Sequence, residues 1–390
     1  MAESGTASTS AQMLPSSLTL TPELLATFKP ARVFRKHLET GRSFTSLSFD
    51  DKGDLLLTAS DDETMQLFNA RTGKHTKQLY SKKYGVHLAR FTHKNSTLIH
   101  ASTKEDDTIR YLSLHDNNYI RYFKGHKKRV VSLQMSPQDD TFLSGATDDT
   151  VRLWDLRAAN AQGLLNVAGT PCIAYEPSGL VFAVLLNLRS TILLYDLKNF
   201  DKQPFLAKEL SDPILIQRSF PARVPIYTSL AFSNDGKWLL VGTSGDVHYV
   251  VDAFELTLVA RLETPPPGIT GLERSTEAPH ARPPGDPTAG ISGEEVAWTP
   301  DGRYVVGGSI DGKVHMWDVA PPEGTPTPGR PPAGPNCTLH PIKSTEGHLG
   351  GPSRIVAFNP RTAMMATAGN DLAFWLPDPL DPSFPSTETS

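Results

Sequence analysis

"GHKKRVVSLQMSPQDDTFLSGATDDTVRLWDLR", from Gly125 to Arg157, puts a histidine, a serine and an aspartate (His126, Ser144 and Asp148) in one short stretch. Those residue types are the ingredients of a hydrolase, and equally of a buried hydrogen-bond chain. The surrounding pattern decides between them. "LQM" before "SPQD" recurs as "LSF" before "DDKG", "ARF" before "THKN", "IAY" before "EPSG", "LAF" before "SNDG", "VAW" before "TPDG" and "VAF" before "NPRT". The marker residues Phe49, Phe91, Met135, Tyr175, Phe232, Trp298 and Phe358 are spaced by 42, 44, 40, 57, 66 and 60 residues. The first four units therefore keep a tight period and the later ones carry insertions. After each turn comes a short apolar run such as "FLSGAT" or "WLLVGT", a polar turn, and an alternating strand such as "TVRLW" or "KVHMW". Alternation at period two between turn signals predicts antiparallel strands, so each unit is a small meander.

A repeat of about forty residues in four strands, with Trp-Asp closing the third, resembles the WD repeat, whose sheets stack radially as propeller blades. Trp154-Asp155 and Trp317-Asp318 carry the dipeptide intact, and Phe68-Asn69 and Tyr195-Asp196 are degenerate versions. The fold expected is all-β, a seven-bladed WD40-type β-propeller closed by an N-terminal strand. "ARVFRKH", Ala31 to His37, is placed to supply the missing outer strand of the seventh blade and so remove an open edge. "TPELLATF" from Thr21 reads as a short capped helix with Pro22 at its first position. Residues 1–20 are expected to be a disordered tail, 21–378 the propeller and 379–390 a second disordered tail. The Pro-rich stretches near 264–290 and 320–335 are expected to be surface insertions.

Within the third unit, His126 precedes the inner strand, Ser144 lies in the second strand, Asp148 in the following turn and Trp154 at the end of the third. That order resembles the structural tetrad of WD-repeat blades, in which aspartate holds histidine, histidine reaches the hydroxyl and the hydroxyl meets the indole N–H. A catalytic serine would need exposure, an oxyanion hole and a cleft, and no Gly-x-Ser-x-Gly elbow occurs. Parts of the pattern also recur at Asp62 with Phe68, at Asp311 with Trp317 and at Gly347-His348. A constellation echoed from blade to blade has a structural job.

Composition narrows the remaining function classes. The formal net charge of −4 gives no whole-chain drive toward nucleic acid. Cys172 and Cys337 are too few for a disulfide framework or a structural zinc site, which predicts a reducing compartment. The polar N-terminus lacks an apolar signal core, and the longest apolar run, "LVFAVLLNL" from Leu180, is broken by Asn187 and too short to span a bilayer. A soluble intracellular protein is expected. There is no Gly-rich phosphate loop, His-Glu-x-x-His or EF-hand loop, so no cofactor or metal is implied; "RTGK" at Arg71 reads as a hairpin, and His87, His93 and His100 as packing or surface residues.

Loops entering the inner strands share one face of a propeller with the turns between second and third strands. Arg42 stands before the first unit, Lys82 and Lys83 before the second, and Lys127, Lys128 and Arg129 before the third, with Tyr84 alongside. Three adjacent blades would thus place cations on one face, which suits an acidic or phosphorylated peptide.

Longer stretches narrow the family. "SFDDKGDLLLTASDDETMQLFNARTGK", "KYGVHLARFTHKNSTLIHASTKEDDTIRYLSLHDNNYIRYFKGHKKRVVSLQMSP", "SGATDDTVRLWDLR" and "NPRTAMMATAGNDLAFWLP" resemble the WD-repeat subunit of the COMPASS histone H3 methyltransferase complex, a family that also serves the cleavage-and-polyadenylation factor in fungi. The resemblance covers most of Ala31 to Pro377. It implies a nuclear, non-catalytic scaffold that joins the subunits of the lysine 4 methyltransferase complex. It also implies links to cleavage-and-polyadenylation subunits and to the phosphorylated C-terminal repeat of RNA polymerase II, without membrane attachment or sequence-specific contact to nucleic acid. The Pro-rich insertions after the fifth and sixth units depart from shorter members of the family. A generic WD-repeat adaptor, such as a ubiquitin-ligase substrate receptor, is the alternative, and a serine hydrolase stands last.

Overall fold

A computed structural model describes residues 19–218, 225–245, 247–264, 293–309, 311–319, 334–348 and 351–384. Most of the Pro-rich stretches and the start of the N-terminal tail lie outside the described residues. The alternating segments pair into seven antiparallel sheets, in which the chain runs outward strand by strand. The inner strands are Phe44–Phe49, Ala89–Phe91, Val130–Met135, Pro171–Tyr175, Tyr227–Phe232, Val296–Trp298 and Ile355–Phe358, and each ends on one of the seven marker residues. Each packs against the inner strand of the next sheet and the first against the seventh, so the sheets are the blades of a closed seven-bladed β-propeller. In blades 1, 4, 5 and 6 the turn after the inner strand closes on Gly53, Gly179, Gly236 and Gly302, whose φ of 68–71° is the left-handed conformation that glycine adopts without a Cβ clash.

Each blade is covered on both faces by its neighbours, so its middle strands are apolar on both sides; Val181–Leu186, VFAVLL, is buried from its second residue to its last. The apolar core is accordingly divided among the gaps between blades. Leu57, Leu67, Leu98 and Leu112 fill the gap between blades 1 and 2, and Phe123, Phe142 and Trp154 that between blades 2 and 3.

The closing strand is Phe28–Phe34, three residues earlier than the expected Ala31–His37, and it pairs antiparallel with Leu372–Pro377 from Phe28 opposite Pro377 to Phe34 opposite Leu372. Two buried phenylalanines set this register: Phe28 is in contact with the core between blades 6 and 7, Phe34 with that between blades 7 and 1. Pro30 lies within the strand beside a bulge, where an edge tolerates its missing N–H. Helix Pro22–Ala26 is capped by Thr21, whose Oγ1 accepts from the Leu24 amide at 3.2 Å, and it buries Leu24 and Leu25 beside Phe28.

Two boundaries differ from expectation. Residues 379–384, assigned to a tail, form turns: Lys29 on the closing strand pairs with Asp378 at 3.1 Å and Asp381 at 2.9 Å, and Phe384 packs against the core between blades 6 and 7. The second insertion, expected to reach 335 as a surface loop, is anchored from Gly334 onward. Thr338–Leu339 adds a fifth, parallel strand to blade 5, Arg261 opposite Thr338 and Leu262 opposite Leu339, with Cys337 and Leu339 buried. Both cysteines are buried, and neither is in a disulfide.

Truncation of the closing strand's inner anchor, Phe28→Ala, is expected to cost ~3–5 kcal/mol because the side chain is fully buried. Leu380→Ala, at a residue 89% exposed, should leave the unfolding midpoint unchanged. Chemical denaturation of both variants checks the pair; a Phe28→Ala protein as stable as wild type would mean that the strand does not hold the ring.

Candidate functional site

Blade 3 assembles the residues singled out in the sequence into one chain of hydrogen bonds. Ser144 lies on the second strand, Thr141–Ala146, and Trp154 on the third, Thr150–Asp155, while His126 and Asp148 come from the loops above them. His126 Nδ1 lies 3.2 and 3.3 Å from the two Asp148 oxygens, and its Nε2 lies 2.7 Å from Ser144 Oγ. With Nδ1–H donating to Asp148, Nε2 accepts from the serine hydroxyl. That oxygen accepts in turn from Trp154 Nε1 at 2.8 Å. Asp148 also accepts from the Lys127 amide at 2.8 Å and the Thr150 hydroxyl at 2.6 Å. Burial pushes the Asp148 carboxyl up, but the bonds from His126, Thr150 and Lys127 outweigh it and hold the group well below the usual carboxylate range. Ser144 and Trp154 are fully buried, so the hydroxyl has no surface on which to meet a substrate.

A second complete set stands in blade 7, where the sequence pointed only to Gly347-His348. His348 bonds Asp371 through Nδ1 and Thr367 Oγ1 through Nε2 at 2.7 Å, and Trp375 Nε1 donates to the same hydroxyl at 2.8 Å. Threonine replaces serine, and the hydroxyl and indole are 8 residues apart instead of 10 because Thr367 and Trp375 each stand one rung nearer to a turn of the same length. Trp375 is followed by Leu376, so the Trp-Asp dipeptide gave no signal; histidine, hydroxyl, aspartate and tryptophan in that order was the signal available.

The partial echoes stay partial. Asp62 in blade 1 bonds Ser60 and Thr64 within its own turn, and Phe68 has no N–H to offer. In blade 6 Gly307 stands opposite His315, where blade 3 has Ser144 opposite Arg152, and Trp317 Nε1 donates instead to the Glu263 carbonyl at 3.4 Å. His93 bonds Asp51 at 2.8 Å, and burial lowers the His100 pKa to about 4, so that ring is neutral at physiological pH. Among the described residues no cluster of three metal-ligating side chains occurs.

The cations of the upper face divide into two groups. Arg42 and Arg129 line a cavity of about 280 Å³ at the upper mouth of the axial channel, together with Lys104 and Arg354 and the carboxylates Asp61, Glu63 and Glu295. Lys104 is ion-paired with Glu63. Lys82, Lys83, Lys127 and Lys128 are exposed and are not among the residues lining that cavity. Lys83 lies 5.0 Å over the Tyr84 ring. The acidic turns "SDDE" and "KEDD" share the face of these cationic loops. The mouth is therefore mixed in charge, and the lysines outside it form the basic part. Farther down, Arg90 of blade 2 pairs with Glu294 before the inner strand of blade 6, spanning the axis above a lower cavity of about 780 Å³.

Comparison with known proteins agrees with this geometry. The model of the WD domain, G-beta repeat, matches residues 28–69, 117–155 and 294–318, the second of which contains the blade 3 tetrad. WD repeat-containing protein 82 of Drosophila melanogaster is 39% identical over 92% of this chain and 97% of its own length. COMPASS component SWD2 of Saccharomyces cerevisiae is 36% identical over 92% of this chain and 97% of its own. The chain belongs to this WD-repeat family. Set1 complex component swd2 of Schizosaccharomyces pombe is a further relative, 47% identical over 61% of this chain and 64% of its own.

For this family member the blade 3 set yields a pH-dependent test. A carboxyl held below its unfolded pKa of about 3.9 contributes stability that is complete at neutral pH and is lost as pH falls through the folded value. Asp148→Asn is therefore expected to destabilise by ~1–3 kcal/mol at pH 7, with the gap to wild type narrowing below about pH 4. Thermal unfolding across that range provides the check, and a gap independent of pH would assign the loss to packing instead of charge.

Proposed function

We propose that the chain is a non-catalytic, nuclear scaffold subunit of a COMPASS-type histone H3 lysine 4 methyltransferase complex. The observation that carries the reading is the similarity to COMPASS component SWD2 along nearly the whole of both chains. The burial of Ser144 and Thr367 inside their blades supports a non-catalytic role, since the hydroxyls beside His126 and His348 are enclosed. Affinity purification from the native organism, with identification of the co-purifying chains, tests the assignment. Methyltransferase subunits are expected; recovery of ubiquitin-ligase subunits instead would favour a generic adaptor.

The finer proposal concerns what the scaffold links. Lys82, Lys83, Lys127 and Lys128 bind an acidic partner, the phosphorylated C-terminal repeat of RNA polymerase II, and so join the complex to transcription and to cleavage-and-polyadenylation subunits. Support comes from exposed lysines on equivalent loops of adjacent blades and from the strength of charge-assisted bonds to phosphate. Changing all four lysines to glutamate is expected to abolish phosphopeptide binding while leaving thermal stability nearly unchanged, because solvated charges contribute little to folding. Titration of phosphorylated and unphosphorylated repeat peptides against wild type and variant decides; equal binding of the two peptides, or unchanged affinity in the variant, removes the proposal.

A further inference from the structure

A propeller leaves the outer strand of each blade with an unpaired edge unless something covers it. Blade 5 is covered in cis by Thr338–Leu339. Other outer strands carry lysine or proline, the usual guards of an edge: Lys74 and Lys77 in blade 1, Lys208 in blade 4, Lys343 in blade 6, Pro30 in blade 7. In blade 3 the edge strand Gly163–Asn166 is shorter, and the Phe200 ring lies against Gly163. Blade 2 differs from all of these. Its edge strand Tyr119–Phe123, YIRYF, has neither guard, and Ile120 and Tyr122 are 49% and 41% exposed. Its one charged side chain, Arg121, donates to the Leu156 carbonyl at 2.7 Å, as Lys77 does to the Leu114 carbonyl and Lys208 to that of Glu255.

A bulge shapes what lies beside this edge. Tyr122 pairs with Arg110 and Arg121 with Tyr111, but Tyr119 pairs with Leu112, so Ile120 is the extra residue. The slip brings Tyr119 and Tyr122 to one side of the sheet, with ring centroids 5.7 Å apart. Tyr84 stands edge-on to Tyr119 at 5.6 Å. Buried Arg110 sits 3.7 Å over Tyr84 and 5.7 Å from Tyr122, held by Asp106 at 2.9 Å. This fixed aromatic ledge occurs in a blade that lacks the tetrad: His100 stands opposite Arg110, as Ser144 stands opposite Arg152. Exposed Lys83 beside Tyr84, and Lys124 after the strand, add positive charge at its border.

We propose that the edge of Tyr119–Phe123 is a docking strand for an extended, acidic segment of a partner protein. The segment adds to blade 2 as a fifth strand, main chain to main chain, as Thr338–Leu339 adds to blade 5. Its apolar side chains rest on Tyr122 and Ile120, and its carboxylates meet Lys83 and Lys124. Main-chain bonds supply affinity and the ledge supplies selectivity, as in other strand additions. The inference does not depend on the complex in which the chain serves.

The full-length protein is titrated with a capped octapeptide alternating valine and glutamate, with the same peptide N-methylated at alternate amides, and with a valine–lysine version. The first is expected to bind at roughly 10–100 μM and the other two about tenfold or more weaker. Ile120→Lys with Tyr122→Lys should weaken the first peptide by a similar factor, while Tyr122→Phe retains it. The absence of saturable binding at about 1 mM overturns the proposal, as does equal affinity for the N-methylated peptide. A dimer in solution abolished by Ile120→Lys would reassign the edge to self-association. Oligouridylate binding lost in Tyr122→Ala would reassign the ledge to single-stranded nucleic acid.

Discussion

The pairing of Phe28–Phe34 with Leu372–Pro377 is the constraint on which the other blades depend. A blade packs between two neighbours, and a ring with one strand missing exposes an edge and opens the gaps on either side. The strand that fills this place comes from the far end of the chain; Lys29 meets Asp378 across 349 residues. Closure entropy grows only as the logarithm of loop length, so the distance costs little stability, but contacts of such long sequence separation form slowly. The ring is therefore expected to close late, after the local meanders have paired.

Hydrogen-bonded side chains reinforce the same junction. The blade 7 tetrad fixes Trp375 through Thr367, and Trp375 lies directly opposite Pro30 of the closing strand. Arg35, just past that strand, approaches Asp371 of the same set at 3.8 Å. A buried polar network is stabilising only when every member is satisfied, and here each hydroxyl accepts from an indole while contacting a histidine held by a carboxylate. Among the described residues the complete sets stand in blades 3 and 7, so the hydroxyl, histidine and aspartate that resemble a hydrolase repeat where packing demands them.

The turns and inner strands were legible because they are local: an apolar strand end followed by a Gly- or Pro-containing turn fixes Phe49 or Phe232 without reference to the rest of the chain. The blade 3 tetrad was legible for the same reason, its members falling in one continuous stretch. What the sequence left open depends on distant partners. The register of the closing strand is decided by pockets for Phe28 and Phe34 built from blades 6, 7 and 1. The attachment of Thr338–Leu339 depends on an edge supplied by blade 5, and two residues are too few to show periodicity. The mixed charge of the upper mouth required loops and turns to be superposed in space, since Glu295 and Arg354 are remote in sequence from Arg42.

The distribution of charge determines where a partner can be read. Arg90, buried on its inner strand, donates to the Leu47 and Ala89 carbonyls as well as to Glu294. Removing either member would leave the other charge unpaired in a confined space, a cost of several kcal/mol, so the pair is a fixed bar across the axis. A side chain entering from above thus meets a cavity of about 280 Å³ whose cations already face carboxylates. Such a mouth offers orientation more than net attraction. The exposed lysines of the second and third loops and the aromatic edge of blade 2 are not among the residues that line it. The upper face is thus divided between a mixed-charge mouth and an exposed rim on blades 2 and 3, and the paired axis contributes rigidity to the ring on which that rim is mounted.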